Sequence, residues 1–196
     1  MTHPPEPWEL RGDLHLSVWF LRERDWEVPA GTSVLRLGPW CVVGTAWVDY
    51  RPGSVLTYRE LMSTLLVRKG LRLYPTITHI WVDSPPSRDG GRALWGIPKE
   101  LAEFTVDGPE WTATSIARAR VRPGTRLPGR WPVAFRVAQT LAGKLKLSRV
   151  RSTSGLRFAR VDWDAGAPLP FLAGHSPALS LTLTDFDMTF GEAKTR

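Results

Sequence analysis

A single lysine in an apolar stretch is the most chemically suggestive feature of this 196-residue sequence. Lys99 directly follows the run Trp95, Gly96, Ile97 and Pro98. Apolar surroundings disfavour the charged form of an amine, so burial is expected to lower the pKa of Lys99 and to free a nucleophilic nitrogen. Such an amine can form a Schiff base with a carbonyl substrate. The alternative is a lysine whose stem lies on an apolar rim while its ammonium stays in water.

Four other side chains each have two possible roles. Glu60 is either a proton carrier or a half-exposed carboxylate paired with Arg59 or Arg68. Arg92 either binds a substrate anion or ties down the preceding Gly-Gly turn through Asp83 or Asp89. Tyr58 and Trp95 are either ligand-stacking groups or core aromatics. These four side chains are therefore candidates for one site with Lys99.

A second charged feature is the alternating arginine run that begins at Arg118. It continues through Arg120, Arg122, Arg126 and Arg130. This run could read phosphates, but no nucleic-acid motif accompanies it, and a solvated strand face is the preferred interpretation. We therefore expect no nucleic-acid partner, although the chain is basic, with a formal charge of +7.

The remaining composition argues against several other classes of protein. Cys41 is the one cysteine, so no intrachain disulfide can form. The four histidines have no metal-ligand spacing, and nothing in the sequence calls for a metal or an organic cofactor. The amino terminus lacks the apolar segment of a signal peptide, and no apolar run approaches the length of a membrane span. We expect a cytoplasmic protein without a membrane partner.

The elements that must position these residues are predicted to be mostly strands, because apolar and polar residues alternate at every second position along much of the chain. Alternating patterns predict strands over 14–20, 111–121 and 179–183, and apolar composition adds 33–49, 61–68, 71–82, 131–141, 145–153 and 156–164. A short helix is predicted over 86–94, with a weaker candidate near 168–175. Hairpins are expected at Lys69-Gly70 and at Ser154-Gly155, and a turn at Pro123-Gly124. The fold class is mainly β: an antiparallel cone or barrel-like sheet with few helices, in one domain over 1–196.

The lysine segment resembles a known family. The pair Gly91-Arg92 followed by Trp95 through Lys99 is similar to the acetoacetate decarboxylase family, in which the corresponding lysine forms the Schiff base. Tyr58-Arg59-Glu60 resembles the family's Tyr-x-Glu, whose glutamate lies in the active site. The resemblance covers most of the chain and implies a β cone around an apolar cavity, assembled into a homo-oligomer.

Several family groups are replaced in this sequence. Glu100 stands where the decarboxylase has a second lysine, so desolvation alone would have to activate Lys99. The family's second glutamate falls near Thr45, which becomes a candidate substrate-binding residue, and its first-strand arginine falls near Asp13. Ala93 replaces the glutamate that follows the Gly-Arg pair. An arginine would bind the substrate carboxylate through two hydrogen bonds. Its absence therefore argues against a β-keto acid substrate more than against a Schiff base.

The resemblance therefore implies a lysine Schiff-base lyase acting on a small keto acid or ketone. Lys99 would be the nucleophile and Glu60 would handle protons, while Arg92, Tyr58, Trp95 and Thr45 would contact the substrate. Decarboxylation, aldol chemistry and dehydration all proceed through the same iminium ion. The alternative is a non-catalytic protein of the same fold that binds a small ligand.

Overall fold

Strands dominate the computed structural model, which describes residues 3–22 and 24–192. The elements are β1 (Trp8–Arg22), β2 (Ser33–Val34), β3 (Arg36–Leu37), β4 (Trp40–Tyr50), β5 (Tyr58–Lys69), β6 (Arg72–Val82), α1 (Pro85–Trp95), β7 (Lys99–Leu101), β8 (Phe104–Asp107), β9 (Glu110–Ala113), β10 (Ala117–Leu141), β11 (Lys144–Ala165) and β12 (Leu179–Phe190). A 3-10 turn at Pro170–Leu172 precedes β12. No helix in the described part of the chain is long and apolar enough to cross a membrane.

The strands form one large sheet in the order β7-β6-β5-β4-β1-β12-β11-β10-β9-β8. Neighbours on this path are antiparallel except for β6 and β7, which are parallel, and β2 and β3 pair with β5 and β4. The sheet curls enough for the Gln139 amide on β10 to donate to the Ile77 carbonyl on β6, although its two ends do not pair. The predicted mainly β, largely antiparallel fold is confirmed.

Both faces of the central strands are buried, and each face contributes to a separate core. On β4, Ala46, Val48 and Tyr50 lie on one face, whereas Val43 and Trp47 lie on the other. Strand β5 alternates in the same way because successive strand residues point to opposite faces. Glu60 therefore faces the core that contains Trp8 and Trp95, which is the side of the sheet that holds the candidate site.

Helix α1 begins and ends through local sequence signals. The Ser84 hydroxyl accepts a hydrogen bond from the Ser87 amide at 3.3 Å, and two prolines occupy the first turn, where their missing N–H groups cost nothing. At its end, Gly96 adopts the left-handed conformation, with φ 67°. The predicted helix over 86–94 is confirmed.

The hairpin predicted at Lys69-Gly70 is confirmed, but the one predicted at Ser154-Gly155 is wrong. Strand β11 continues through this dipeptide, and a Cβ at Gly155 would lie 2.5 Å from the Thr184 hydroxyl of β12. The glycine thus permits a close approach between strands beside a register shift. The β10–β11 hairpin instead turns at Ala142-Gly143, where both residues have positive φ.

Four further predictions from the sequence were wrong in detail. The strand predicted over 111–121 is divided by a turn at 114–116, where Ser115 has φ 63°, and its halves pair as β9 and β10. The turn predicted at Pro123-Gly124 is a register shift inside β10, and the span 33–49 splits into three strands. Near 168–175 only the short 3-10 turn forms. At Pro123-Gly124 the irregularity has the same residue signature as the predicted turn.

Candidate functional site

The backbone after α1 brings Lys99 into the interior of the protein. Strand β7 places Lys99 beside Ile80 of β6, and the residue is only 4% exposed. The side chain crosses α1 at Gly91, where a Cβ would lie 2.7 Å from the Lys99 Cδ. The glycine of the Gly-Arg pair therefore leaves space for the lysine stem.

The Lys99 amine makes three polar contacts inside the protein. Its Nζ lies 2.7 Å from the Glu60 Oε2, 2.9 Å from the Ser87 Oγ and 3.3 Å from the Tyr58 hydroxyl oxygen. The same nitrogen lies 5.0 Å from the centre of the Tyr58 ring, within cation–π range. The predicted group Lys99, Glu60 and Tyr58 is thus brought together from β7 and β5.

Glu60 is itself enclosed, at 2% exposure. The hydroxyl of Tyr50 donates to the Glu60 Oε1 at 3.0 Å, so each carboxylate oxygen has a separate partner. Tyr50 and Tyr58 stand directly opposite each other on β4 and β5. Burial, together with the negative charge of Glu60, raises the pKa of both phenols, which therefore stay protonated. The Tyr50 hydroxyl donates to Glu60, and the Tyr58 hydroxyl oxygen accepts from the Lys99 amine.

The expected lowering of the Lys99 pKa is wrong for the unliganded protein. Burial does lower the pKa of the amine, but the adjacent Glu60 carboxylate and the Tyr58 hydroxyl together outweigh it, and the net direction is upward. A buried amine without a counterion would lose its proton, whereas this one has a carboxylate in direct contact. The resting amine is consequently an ammonium paired with Glu60.

A cavity of about 360 Å³ opens beside this pair. Most of its lining is aliphatic or aromatic, from Trp8, Leu10, Leu14, Leu16, Ala46, Met62, Pro75, Ile77, Ile80, Trp95, Ile97, Val133, Phe135, Val137, Val150, Leu183, Phe186, Met188 and Phe190. Lys99 and Glu60 are the charged residues among the lining, and no arginine or histidine lines it. Val133 and Phe135 remain 43% and 42% exposed, so the cavity reaches solvent there.

Arg92 does not line this cavity, contrary to its candidate role in substrate binding. Its Nε donates to the Lys99 carbonyl oxygen at 2.6 Å, and its guanidinium pairs with Glu100 on the exposed side of the segment. The expected pairing with Asp83 or Asp89 is replaced by this contact. Because neighbouring strand residues point apart, Glu100 faces away from the Lys99 amine. Arg92 thus fixes the backbone of the lysine.

Trp95 and Thr45 both lie in the cavity wall. The Trp95 indole packs edge to face on Trp8, with ring centres 4.8 Å apart, and its N–H donates to Glu6. The Thr45 hydroxyl accepts a hydrogen bond from the Trp19 indole at 2.9 Å. Thr45 is therefore already engaged by the opposite core.

Three residues of this arrangement were not predicted from the sequence: Ser87, Tyr50 and Trp8. Ser87 lies in the first turn of α1 and faces Lys99, a placement that only the helix phase could have indicated. Tyr50 could have been predicted from its position opposite Tyr58 if the pairing of β4 with β5 had been known. The Trp8 ring lies 6.0 Å from the amine, and a Cβ at Gly90 would lie 2.5 Å from that ring.

The arginines of β10 form an exposed face, as the preferred interpretation had it. Arg120 pairs with Glu110, Arg122 pairs with Asp162, and Arg130 donates to two backbone carbonyls. Elsewhere in residues 3–22 and 24–192, no three or more histidine, cysteine, aspartate or glutamate side chains cluster closely enough to hold a metal ion.

Comparison with known proteins gives a consistent result. The family model described as acetoacetate decarboxylase matches residues 34–169, more than half of the chain. No curated protein matches the sequence. The solved acetoacetate decarboxylase from Legionella pneumophila is similar in structure, with a TM-score of 0.66 at 16% identity over 97% of this chain and 87% of that one.

Two other solved structures share the fold. An acetoacetate decarboxylase-like enzyme from Sphingomonas wittichii RW1 has a TM-score of 0.59 at 15% identity, over 100% of this chain and 94% of that one. The enduracididine biosynthesis enzyme MppR, solved with pyruvate, has a TM-score of 0.58 at 15% identity, over 95% and 89%. Identities this low show a common fold and leave the chemistry to the site itself.

Proposed function

Because this chain belongs to the acetoacetate decarboxylase family, we propose that it is an enzyme whose Lys99 forms a Schiff base with a keto acid or a ketone. The observation that carries the proposal is the position of the amine. It is buried beside an apolar cavity and is held by a carboxylate and two hydroxyl groups. Residues 1–196 act as one domain in this proposal.

The reaction begins with proton transfer from the Lys99 ammonium to Glu60. Moving that proton along the 2.7 Å hydrogen bond leaves a neutral amine and a neutral carboxylic acid. The pair carries no net charge before or after this transfer, so no uncompensated charge is left beside the apolar cavity. Glu60 thus acts as the proton acceptor. No second lysine follows Lys99 to lower its pKa, because that position is Glu100, which pairs with Arg92 and points away.

The free amine then attacks the carbonyl carbon of the substrate. Protonated Glu60 returns its proton to the oxygen of the carbinolamine, water leaves, and the positive iminium ion forms beside the Glu60 carboxylate. In a β-keto acid, the bond to the carboxylate breaks, its electron pair moves towards the iminium nitrogen, and carbon dioxide leaves. A proton delivered through Glu60 to the enamine carbon, followed by hydrolysis, releases the ketone and Lys99.

The hydroxyl groups around the amine position the reacting atoms. Tyr50 holds Glu60 from the side opposite Lys99, and Tyr58 and Ser87 fix the direction of the amine. Among the lining residues, only the nitrogen of Lys99 offers positive charge to a substrate carboxylate. The same iminium also supports aldol addition and dehydration, and the missing arginine leaves these as rivals to decarboxylation.

A non-catalytic ligand-binding protein is the second candidate function. The raised pKa of Lys99 favours it, because an ammonium whose N–H groups are held by Glu60, Ser87 and Tyr58 is not a nucleophile, so a ligand in the cavity would bind without reacting. Turnover requires the proton to leave this pair, whereas simple binding does not. The two functions therefore differ in whether a covalent bond to Lys99 ever forms.

Reductive trapping separates the two functions. The protein is incubated with acetoacetate, pyruvate or acetone in the presence of cyanoborohydride, and adducts are located by intact mass and peptide mapping. We expect one adduct, on Lys99, that is absent from Lys99→Ala and from Lys99→Arg, since a guanidinium supplies no free amine. The exposed Lys144→Arg variant serves as a matched control and keeps the adduct. No adduct with any of these carbonyl compounds, or equal labelling of Lys99→Ala, would overturn the proposal.

A further inference from the structure

We infer that the substrate carries an extended apolar tail next to its reacting carbonyl group and no second charge; this inference rests on the proposed function of Lys99. The length of the cavity, the chemistry of its wall and the position of its charged groups all support this inference. Each of these is a property of the described residues, independent of the family comparison.

The cavity is long compared with a small keto acid. Along β5, Glu60, Met62 and Thr64 all line it, which corresponds to roughly 13 Å at the usual strand rise. An extended chain advances by about 1.2 Å for each bond, so this length accommodates about ten bonds. A reacting group bound at Lys99 therefore leaves room for a tail of about six to nine carbons.

The volume leads to the same conclusion. A cavity of about 360 Å³ corresponds to about twelve water molecules at the volume that each occupies in the liquid. A three- or four-carbon keto acid would leave most of that space either empty or filled with water. Water is poorly held where few polar groups are free, and an empty apolar space forfeits dispersion contacts.

The wall away from Lys99 offers few free polar groups. The Thr45 hydroxyl accepts from Trp19, and the Thr64 hydroxyl donates to the Gly44 carbonyl oxygen at 3.2 Å. No lining residue beyond Lys99 is a cation. A carboxylate on a tail enclosed by this wall, away from the opening at Val133 and Phe135, would lose its hydration without gaining a partner, which is strongly unfavourable. A monocarboxylic β-keto acid, or the methyl ketone derived from it, fits this distribution of charge.

The test measures binding and trapping in parallel for a series of methyl ketones. The probes are acetone, methyl pentyl ketone, methyl heptyl ketone, and a methyl ketone of the same chain length as methyl pentyl ketone that ends in a carboxylate. Calorimetry gives the dissociation constant, and cyanoborohydride trapping gives the concentration for half-maximal labelling of Lys99. Each added methylene should tighten binding by about fourfold, so methyl pentyl ketone should bind about two-hundredfold more tightly than acetone. The carboxylate-ended ketone should bind at least tenfold more weakly than methyl pentyl ketone.

A variant within the wall provides a second measurement. Ala46 is 4% exposed, lies in the cavity wall and stands opposite Met62, about 7 Å along the sheet from the Glu60 level. Ala46→Leu fills the middle of the cavity and should reduce the preference for methyl heptyl ketone over acetone at least tenfold. Ala173→Leu adds the same bulk on the exposed surface and should leave that ratio unchanged. The ketone series on the unaltered chain decides the question even if Ala46→Leu does not fold.

The outcomes distinguish this inference from the proposed function. Chain-length-dependent binding without any adduct supports the apolar ligand class and overturns the Schiff-base function. Trapping of all ketones with equal half-saturation keeps the Schiff base and overturns the apolar tail. Equal or tighter binding of the carboxylate-ended ketone overturns the stated charge preference, and absence of binding by every ketone overturns the inference.

Discussion

Glu60 determines the protonation state of the reactive amine, so the first prediction belongs to this residue. Glu60→Gln removes the carboxylate charge that raises the pKa of Lys99 and leaves burial, which lowers it, unopposed. The pH at which adduct formation reaches half its maximal rate should therefore move to lower values, measured as trapping rate against pH. In the parent protein that rate should rise about tenfold per pH unit below the Lys99 pKa, because only the free amine reacts.

Loss of a proton carrier would change the pH profile of the trapping rate in a different way. If Glu60 only carried protons, the variant would trap more slowly at every pH without a shift of the profile. A profile displaced to higher pH would contradict the electrostatic account outright. Glu103→Gln, a change at an exposed carboxylate outside the cavity, is the matched control and should leave the profile in place.

The second prediction concerns helix α1, which must pass close to the lysine. Gly91→Ala would improve helix propensity by about 1 kcal/mol, but it places a Cβ against the Lys99 stem. We expect the amine to be displaced and the trapping rate to fall at least tenfold, while the unfolding free energy changes by less than about 2 kcal/mol. Ala93→Ser, at an exposed position on the same helix, should change neither quantity. Unaltered trapping by Gly91→Ala would show that the close approach is not needed.

The third prediction concerns the junction of β1 and β12. His15 is buried, its Nδ1 lies 2.9 Å from the Thr182 hydroxyl oxygen, and its ring packs on Trp111. Burial, aided by Arg51 and opposed by Asp13 and Asp49, lowers its pKa from 6.5 to about 4. The unfolded chain therefore binds this proton first, and the folded state loses stability as the pH falls from about 6.5 to about 4.

The loss attributable to His15 amounts to about 3 kcal/mol of unfolding free energy at pH 4. Urea unfolding of the parent and of His15→Asn is measured at pH 7 and at pH 4. Because all other groups titrate in both proteins, the difference between them gives the contribution of His15 to the unfolding free energy. The parent should lose about 3 kcal/mol more than the variant between the two pH values. Parallel losses would show that His15 titrates alike in both states.

At the level of elements, the alternation of residues was sufficient to predict most strands, but not their interruptions. Strand residues that face a core appear in the sequence as apolar residues at every second position, as in β5. A bulge inserts one residue and has no composition of its own. At Thr78 the alternation of β6 changes face, so that Ile77 and Ile80 both reach the cavity. The sequence also could not show whether Ser154-Gly155 is a turn, because that depends on how closely β12 approaches.

The candidate site was predictable only in part. Lys99, Glu60 and Tyr58 could be grouped because the family motif links them, whereas Ser87 carries no motif. The direction of the Lys99 pKa depends on a 2.7 Å distance that spacing along the chain cannot supply. Arg92 was misplaced because a guanidinium can reach either side of its backbone, and its exposed partner Glu100 lies eight residues away.

For the whole molecule, the fourth prediction is assembly into a homo-oligomer. The sequence contains ten tryptophans, but only Trp40 and Trp131 are exposed, so the number of tryptophans gives little support for an interface. A better basis is β10, where Trp131, Val133 and Phe135 are exposed and the described pairing with β9 ends at Arg120. An open strand edge beside apolar side chains favours association with a second copy.

Sedimentation at micromolar concentration should therefore show a species larger than a monomer. Trp131→Glu should weaken the association at least tenfold, because an aromatic group buried between copies contributes about 1.5–3 kcal/mol. Leu71→Glu, at a fully exposed turn position remote in sequence from β10, should leave the sedimentation unchanged. A parent protein that sediments only as a monomer would contradict the prediction.

The edge-to-face pair of Trp8 and Trp95 has a practical consequence for following the cavity. Both indoles are almost fully shielded from water, and Trp8 lies within 6.0 Å of the Lys99 nitrogen. Charge on that nitrogen and the polarity of whatever replaces solvent beside it both act on the excited state of these rings. Occupancy of the cavity should therefore be readable as a change in intrinsic fluorescence without an added dye. A Trp8→Phe variant would identify which part of the signal from the ten indoles comes from this wall.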